Sequence, residues 1–230
     1  MTLDKLIIGA TFAAFGAAGT SGGTVIADNS QLGYEFVYSY RRADMSVADP
    51  KSEAAKKFCA LYKQGSEGKG LILGTACVAL GKLIKKEALS YMFLQQFIGL
   101  EFADGLYAAS FIGANGITKI KAKTVIDTTP ECVSAAVPAS AYEYKRLNAI
   151  DEHLNVVGTY LNIADDWKTA REKLSSAIAA HKGGRILRIS SRFEYKPKVS
   201  VIEIGEGHIW MPSSYHANPV AAIDCGAGII

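Results

Sequence analysis

Residues 4–30 run DKLIIGATFAAFGAAGTSGGTVIADNS, and the fold turns on how they are read. Leu6, Ile7 and Ile8 form a short run without a polar residue, the pattern of a strand buried on both faces of a parallel sheet. Gly9 follows directly. Thr11 to Gly19 is small and alanine-rich, so a helix there can lie very close to the sheet. Gly22 and Gly23 end that helix, Thr24 to Ala27 supply a second strand, and Asp28 stands at its tip. Strand, glycine turn, helix, strand and distal acid are the layout of a dinucleotide-binding βαβ unit. In such a unit the turn approaches a pyrophosphate, the helix N-terminus offers N–H groups and the positive end of its dipole, and the acid takes ribose hydroxyls. The cofactor-binding candidates here are Gly9, Thr11, Phe12 and Ala14 around the turn, with Asp28 and Asn29 at the tip of the second strand.

A full fingerprint is GxGxxG, and the corresponding positions are Gly9, Thr11 and Ala14. Alanine in the third place still allows close helix–strand packing, but Thr11 puts a branched Cβ where backbone approaches phosphate. Two readings therefore stand side by side: a nucleotide-binding turn, and a plain buried βαβ unit. A third takes Leu6 to Ala18, following Lys5, as the core of a signal peptide. Against it, Gly9 and Thr11 interrupt the run, Asp4 opposes a positive flank, and a strand resumes at Thr24. The run is also too short to span a bilayer.

Of the 230 residues 49% are hydrophobic and only 20% charged, enough to bury a sizeable core in one large domain and too apolar for disorder. The net charge of +3 comes without a long basic block, so nucleic acid is not an expected partner, and no membrane span is expected either. Cys59, Cys77, Cys132 and Cys225 are scattered with no CxxC pair, which argues against a zinc site or a disulfide framework and fits a reducing cytoplasm. No metal site is expected.

Beyond Asp28, Tyr34, Phe36, Tyr38 and Tyr40 recur at period two before Arg41-Arg42, the pattern of an extended segment with an aromatic face. Asp49-Pro50 predicts an N-cap and first helical residue for a helix through about Lys63, and Gly65 to Gly70 a flexible loop. Leu71 to Gly81 suits either strand and turn or a buried helix, and Lys82 to Phe97 reads as a helix. The period then changes. Leu100 to Ala103, Leu106 to Ala114 and Ile117 to Lys121 are strand-like, with Asn115-Gly116 a hairpin signal, and Lys123 to Asp127 is a further strand. Ala141 to Leu161 and Ile163 to Lys182 are read as two helices, the second with Asp165 and Asp166 in its first turn. Ile186 to Tyr195, Val199 to Ile204 and His208 to Met211 are read as strands, and Asn218 to Gly226 as a closing helix.

This succession, a first βαβ unit, a small antiparallel meander and then a strand ending VIDTT, resembles the FAD-dependent oxidoreductases of the glutathione reductase superfamily. The strand after that family's meander ends in a pattern like Val-Ile-Asp-Ala-Thr-Gly-Asp, where this chain has Val125, Ile126, Asp127, Thr128, Thr129, Pro130 and Glu131. KKEALSYMFLQQ resembles the helix before the meander, and HIWMPSSYHANPVAAIDCGAG the last strand and flavin-facing helix. The resemblance implies a single Rossmann-like FAD-binding domain over 1–230, with a β-meander insertion at 100–122 and a helical insertion at 141–183. It implies FAD as cofactor, adds Thr128 and Thr129 to the cofactor-binding candidates, and suggests oxidoreductase chemistry on a small molecule. The departures fall where cofactor is touched. Thr11 and Pro130 replace glycines, and the late strand ends in Pro212, Ser213 and Ser214 instead of a glycine–acid pair. Two functional expectations follow: an FAD-binding oxidoreductase-like protein, or a non-catalytic or partner-subunit protein with a decayed flavoprotein fold, as a homo- or hetero-oligomer.

His208 and His216, near Tyr215 and Asp224, are weighed as a metal or acid–base pair and read instead as incidental. Cys225 beside Gly226 is read as a structural thiol. The chain has no GxSxG elbow and no GxxxxGK[ST] loop, so two large hydrolase classes drop out.

Overall fold

A computed structural model describes residues 2–37, 39, 41, 43–63, 70–151, 156–162, 164–183, 185–189 and 194–228. The chain opens with strand β1 (Thr2–Ile8), helix α1 (Phe12–Ser21) and strand β2 (Thr24–Ile26). β1 and β2 are parallel neighbours, with Leu6 opposite Thr24 and Ile8 opposite Ile26, as the two apolar runs predict. Helices α2 (Tyr34–Val37), α3 (Glu53–Lys63) and α4 (Leu73–Lys86) follow, before strand β3 (Ser90–Met92) extends the sheet in parallel beyond β2.

The meander is β4 (Gln96–Ala103), β5 (Leu106–Gly113) and β6 (Gly116–Asp127). Its last strand does two jobs. Residues 116–122 pair antiparallel with β5, and residues 121–127 pair parallel with β1, Val125 opposite Leu6. The two strands expected at 117–121 and 123–127 are thus one, because Ala122, wholly buried, carries the ladder across between them. A second sheet comes from β7 (Tyr142–Asp151), β8 (Val156–Asn162), β9 (Ile186–Ile189) and β10 (Glu194–Pro197), with helix α5 (Trp167–Ala180) between β8 and β9. The chain then returns to the first sheet through β11 (Ile202–Gly205) and β12 (His208–Trp210) and closes with helix α6 (Pro219–Ala227). The first sheet runs β11-β12-β6-β1-β2-β3, parallel from β12 to β3. One core cluster gathers Phe12, Phe15, Phe36, Phe58 and Leu80 from the helices with Ile223 of α6. Another lies beneath the meander, around Leu6, Phe111 and Val125.

Four expectations are corrected. Ala141 to Leu161 is not a helix but the hairpin β7–β8, with Leu147 opposite Thr159. Its Lys, Arg, Leu and Ala content favours helix locally. As the central strand of its sheet, however, β7 buries both faces, Leu147 and Ala149 on one and Asn148 and Ile150 on the other. The helical insertion at 141–183 therefore reduces to α5. Lys82 to Phe97 is likewise not one helix. The apolar stripe Ala76, Ala79, Leu80 and Leu83 belongs to α4, which stops at Lys86, and Ala88 at φ +52° turns the chain into β3. Asp49-Pro50 lies outside α3. Ser52 takes the cap, its hydroxyl accepting from the Ala55 N–H at 3.1 Å, while the Asp224 carboxylate of α6 accepts from the N–H groups of Lys51 and Ser52. Tyr34 and Phe36 do not alternate along an extended segment. Both sit in α2 and both are buried. Tyr38, Tyr40 and Arg42, like most of the loop expected at 65–70, lie outside the described residues.

Candidate functional site

The site grows from the carboxyl ends of β1, β2 and β6, where a parallel sheet leaves a crevice. Gly9 ends β1 at φ +101°, a conformation that L side chains rarely adopt. A Cβ there would stand 2.9 Å from Thr128 Oγ1 and 3.1 Å from Thr129 Cγ2, so the turn needs glycine for space as well as for backbone. Beside it opens a cleft of about 150 Å³ lined by Gly9, Asp28, Tyr34, Gln96, Thr129 and Glu131, among others. Asp28 is exposed at the tip of β2, and Asn29 Nδ2 donates to its Oδ1 at 2.8 Å.

Thr11 does not face the cleft. It is the N-cap of α1, extended at φ −97° and ψ 171°, and only 1% exposed. Its Oγ1 accepts from the Ala14 N–H at 3.0 Å and donates to Thr128 Oγ1 at 2.7 Å. Thr128 passes the chain on, donating to the Ile8 carbonyl at 2.8 Å. Phe12 turns its ring into the core, edge-on to Phe36 and Phe58, so only its N–H remains at the turn. Ala14 is wholly buried. Thr129 lines the cleft and is fixed from below, its N–H and hydroxyl both donating to Asp127 Oδ1. The other carboxylate oxygen of Asp127 accepts from Ser134 N–H, and burial raises the acid above the usual carboxylate range. Gly9, Asp28 and Thr129 therefore share the cleft, while Thr11, Phe12, Ala14 and Thr128 form the packed turn behind it.

Two residues outside the expected cofactor-binding set, Glu35 and Ser213, dominate the helix N-terminus. The first three N–H groups of a helix have no partner within it, and in α1 each is taken by a protein oxygen. Phe12 N–H donates to Glu35 Oε1 at 2.8 Å, Ala13 N–H to Ser213 Oγ at 3.1 Å, and Ala14 N–H to Thr11. Ser213 in turn donates to Glu35 Oε1 at 2.5 Å. Glu35 is 1% exposed, and its Oε2 is buried with no hydrogen-bond partner. Burial, the largest cause, pushes this carboxyl up to about 7, against the opposing pull of Ser213, the backbone N–H groups and Arg41. The sequence signal was an acid standing alone in the aromatic run YEFVY. Gly33, which Glu35 follows closely, presses on the Phe12 ring, and its N–H donates to the Ala10 carbonyl at 2.6 Å. That contact lays the segment over the turn.

His208 and His216 sit in different surroundings. His208 Nε2 pairs with Ser134 Oγ at 2.8 Å, whereas burial and the Arg41 charge hold His216 down to about 4. Among the described residues no group of three His, Cys, Asp or Glu side chains could hold a metal ion, and no helix is long and apolar enough to cross a membrane.

No family model matches this chain, and no curated protein matches it by sequence. Solved structures do match by shape. A geranylgeranyl bacteriochlorophyll reductase-like protein from Thermoplasma acidophilum superposes with a TM-score of 0.63 at 14% identity, over 98% of this chain and 76% of that one. A flavoprotein/dehydrogenase from Cytophaga hutchinsonii gives 0.61 at 13% identity, over 99% and 76%. The p-nitrophenol 4-monooxygenase PnpA from Pseudomonas putida DLL-E4 gives 0.59 at 11% identity, over 99% and 77%. At these identities the likeness is one of fold, and the fold is a Rossmann-like α/β fold of the FAD-binding type.

Proposed function

We propose that this protein is an FAD-binding, oxidoreductase-like protein, with the adenosine end of the cofactor in the cleft between Gly9 and Asp28. The single observation carrying this reading is that cleft. It lies at the carboxyl edge of the parallel sheet, entered past a glycine at φ +101° and flanked by an exposed acid suited to ribose hydroxyls. Kinship with the glutathione reductase superfamily, a small-molecule substrate and a cytoplasmic location belong to the same reading. The fold neighbours support the first, and four separated free thiols support the last.

The residues present fit the adenosine end of FAD and do not fit its pyrophosphate as they stand, because Glu35, Ser213 and Thr11 already hold the α1 amides. That same arrangement favours a second reading, a protein of this fold that carries no cofactor and serves as a partner subunit. The absorption spectrum of the purified protein, with a calorimetric titration of FAD, separates the two. On the first reading FAD binds, and Asp28→Ala weakens it by about 1–3 kcal/mol, the scale of a hydrogen bond to a charged group. Absence of binding up to millimolar FAD leaves the second reading.

A further inference from the structure

Independently of the nucleotide reading above, we propose a second binding site, a seat between the two sheets for a small organic acid whose carboxylate is held by Arg41, Arg146 and the Ser214 hydroxyl. The site is a cavity of about 100 Å³ that shares no lining residue with the Gly9–Asp28 cleft. Three parts of the chain build it. The turn Ser213–Tyr215 after β12 brings Ser214, strands β7 and β10 bring Arg146 and Lys196, and the stretch after α2 brings Arg41. That stretch is tied to both sheets. Asn148 Nδ2 of β7 donates to the Ser39 carbonyl at 2.7 Å, and Arg41 Nη1 donates to the Ser214 carbonyl at 2.6 Å. The Arg41 guanidinium lies over the Phe36 ring, 4.9 Å from its centroid. On β8, Gly158 leaves the space that the Arg146 guanidinium occupies, since a Cβ there would stand 3.1 Å from Arg146 Nε.

Ser214 is the residue that points to a ligand. It lines the cavity, it is only 7% exposed, and its Oγ is buried with no hydrogen-bond partner. A buried hydroxyl left unmatched costs free energy, and a ligand oxygen in the cavity gives it an acceptor. The charge beside it is positive. None of the described residues lining the cavity is acidic. Of the acids nearby, Glu143 is engaged by Lys196 at 3.0 Å, and Glu35 by the Phe12 N–H and Ser213. Two guanidinium groups and one hydroxyl match the planar, two-oxygen acceptor set of a carboxylate. The remaining wall is Tyr195, Pro197 and Tyr215, whose apolar surface suits a carbon frame better than a bare inorganic oxyanion. The volume equals about three waters' share of the liquid, so the acid is a small one.

The test is a calorimetric titration of butyrate into the full chain at low ionic strength, with butyramide as the uncharged match and inorganic phosphate as the oxyanion without a carbon frame. Butyrate is expected to bind at least about tenfold more tightly than either, the scale of one charge-assisted hydrogen bond. Arg146→Gln and Ser214→Ala should each weaken butyrate by about tenfold. Ser214→Ala should also leave the urea midpoint where it is, because it removes a hydroxyl that bonds nothing in the protein. A purely structural serine would lower that midpoint and leave butyrate affinity alone. No saturable binding of butyrate, binding no tighter than butyramide, or parental affinity in Ser214→Ala overturns the proposal. Phosphate binding as tightly as butyrate overturns the assignment to an organic acid. Should Arg146→Gln not fold, Ser214→Ala and the butyrate–butyramide comparison in the parent decide the matter alone. None of these outcomes bears on FAD, so the nucleotide reading stands or falls separately.

Discussion

At the scale of single residues, Thr11 and Glu35 change the meaning of the α1 N-terminus. A threonine in the fingerprint's second place looks, in sequence, like an obstacle to a ligand. In the fold it is a cap, joined to Thr128 and through it to the end of β1. Thr11→Ala should therefore cost about 0.5–2 kcal/mol of stability, and Thr11→Ser, which keeps the hydroxyl, much less. Urea midpoints of the two variants check this, and equal midpoints would count against the capping role. Glu35 gives a pH dependence whose sign is fixed. Its folded pKa of about 7 lies above the ordinary 4.5, so the folded state holds the proton more tightly. The contribution is complete below about pH 4.5 and is lost as pH rises through 7. Relative to the parent, Glu35→Gln should gain on the order of 2–3 kcal/mol between pH 5 and pH 8. Unfolding curves at the two pH values test it, and parallel curves would place the carboxyl's titration elsewhere.

At the scale of elements, α1 and α6 are held by the absence of side chains. A Cβ on Gly226 would run into the Ala13 carbonyl, and one on Gly16 into the Ile223 carbonyl, so each helix uses a glycine to meet the other's backbone. Gly226→Ala must push rigid backbone apart and should cost at least about 1–3 kcal/mol. The exposed Gly74 of α4, with nothing around its missing Cβ, is the control and should tolerate alanine or gain from it. Denaturant melts of both variants decide the point. The closeness of α1 was legible beforehand from its run of alanine and glycine, and so were β1, β2 and their parallel pairing. Those signals are local: apolar runs, glycines and a cap. The meander was legible for the same reason, through its period of two and Asn115-Gly116. What failed depended on distant partners. Residues 142–151 carry helix-favouring side chains and became a strand because β8, β9 and β10 pair with them. In the same way Ser90–Met92 became a strand only because β2 offered an edge. Of the candidate site, the glycine turn and Asp28 were readable, whereas the Glu35–Ser213 pair is built by residues far apart in sequence. No spacing rule could have joined them.

At the scale of the whole molecule, Trp210 ties the cleft to both sheets. It ends β12, is wholly buried, and donates from Nε1 to the Thr129 carbonyl at 2.8 Å. Its ring meets Tyr142, the first residue of β7, with centroids 5.3 Å apart. Thr129 is the residue that lines the cleft and whose N–H and hydroxyl are pinned to Asp127. One side chain therefore fixes the floor of the cleft and the entry to the second sheet together. Trp210→Phe keeps most of the apolar contact but takes the indole donor from the Thr129 carbonyl and leaves it only the longer bond from Cys132 N–H at 3.5 Å, an expected loss of about 1–3 kcal/mol. Trp210→Ala also empties the space between the sheets and should cost about 3–5 kcal/mol. If the tie is what orders the cleft, Trp210→Phe should weaken adenosine binding although Trp210 does not line the cleft, while a conservative change in the α3–α4 core, such as Leu80→Val, should lower stability and leave that affinity alone. Paired urea melts and adenosine titrations on the three variants distinguish coupling from simple destabilisation. Equal adenosine affinity in the parent and Trp210→Phe would mean that the bonds of Thr129 to Asp127, Val133 and Cys132 hold it in place without the indole.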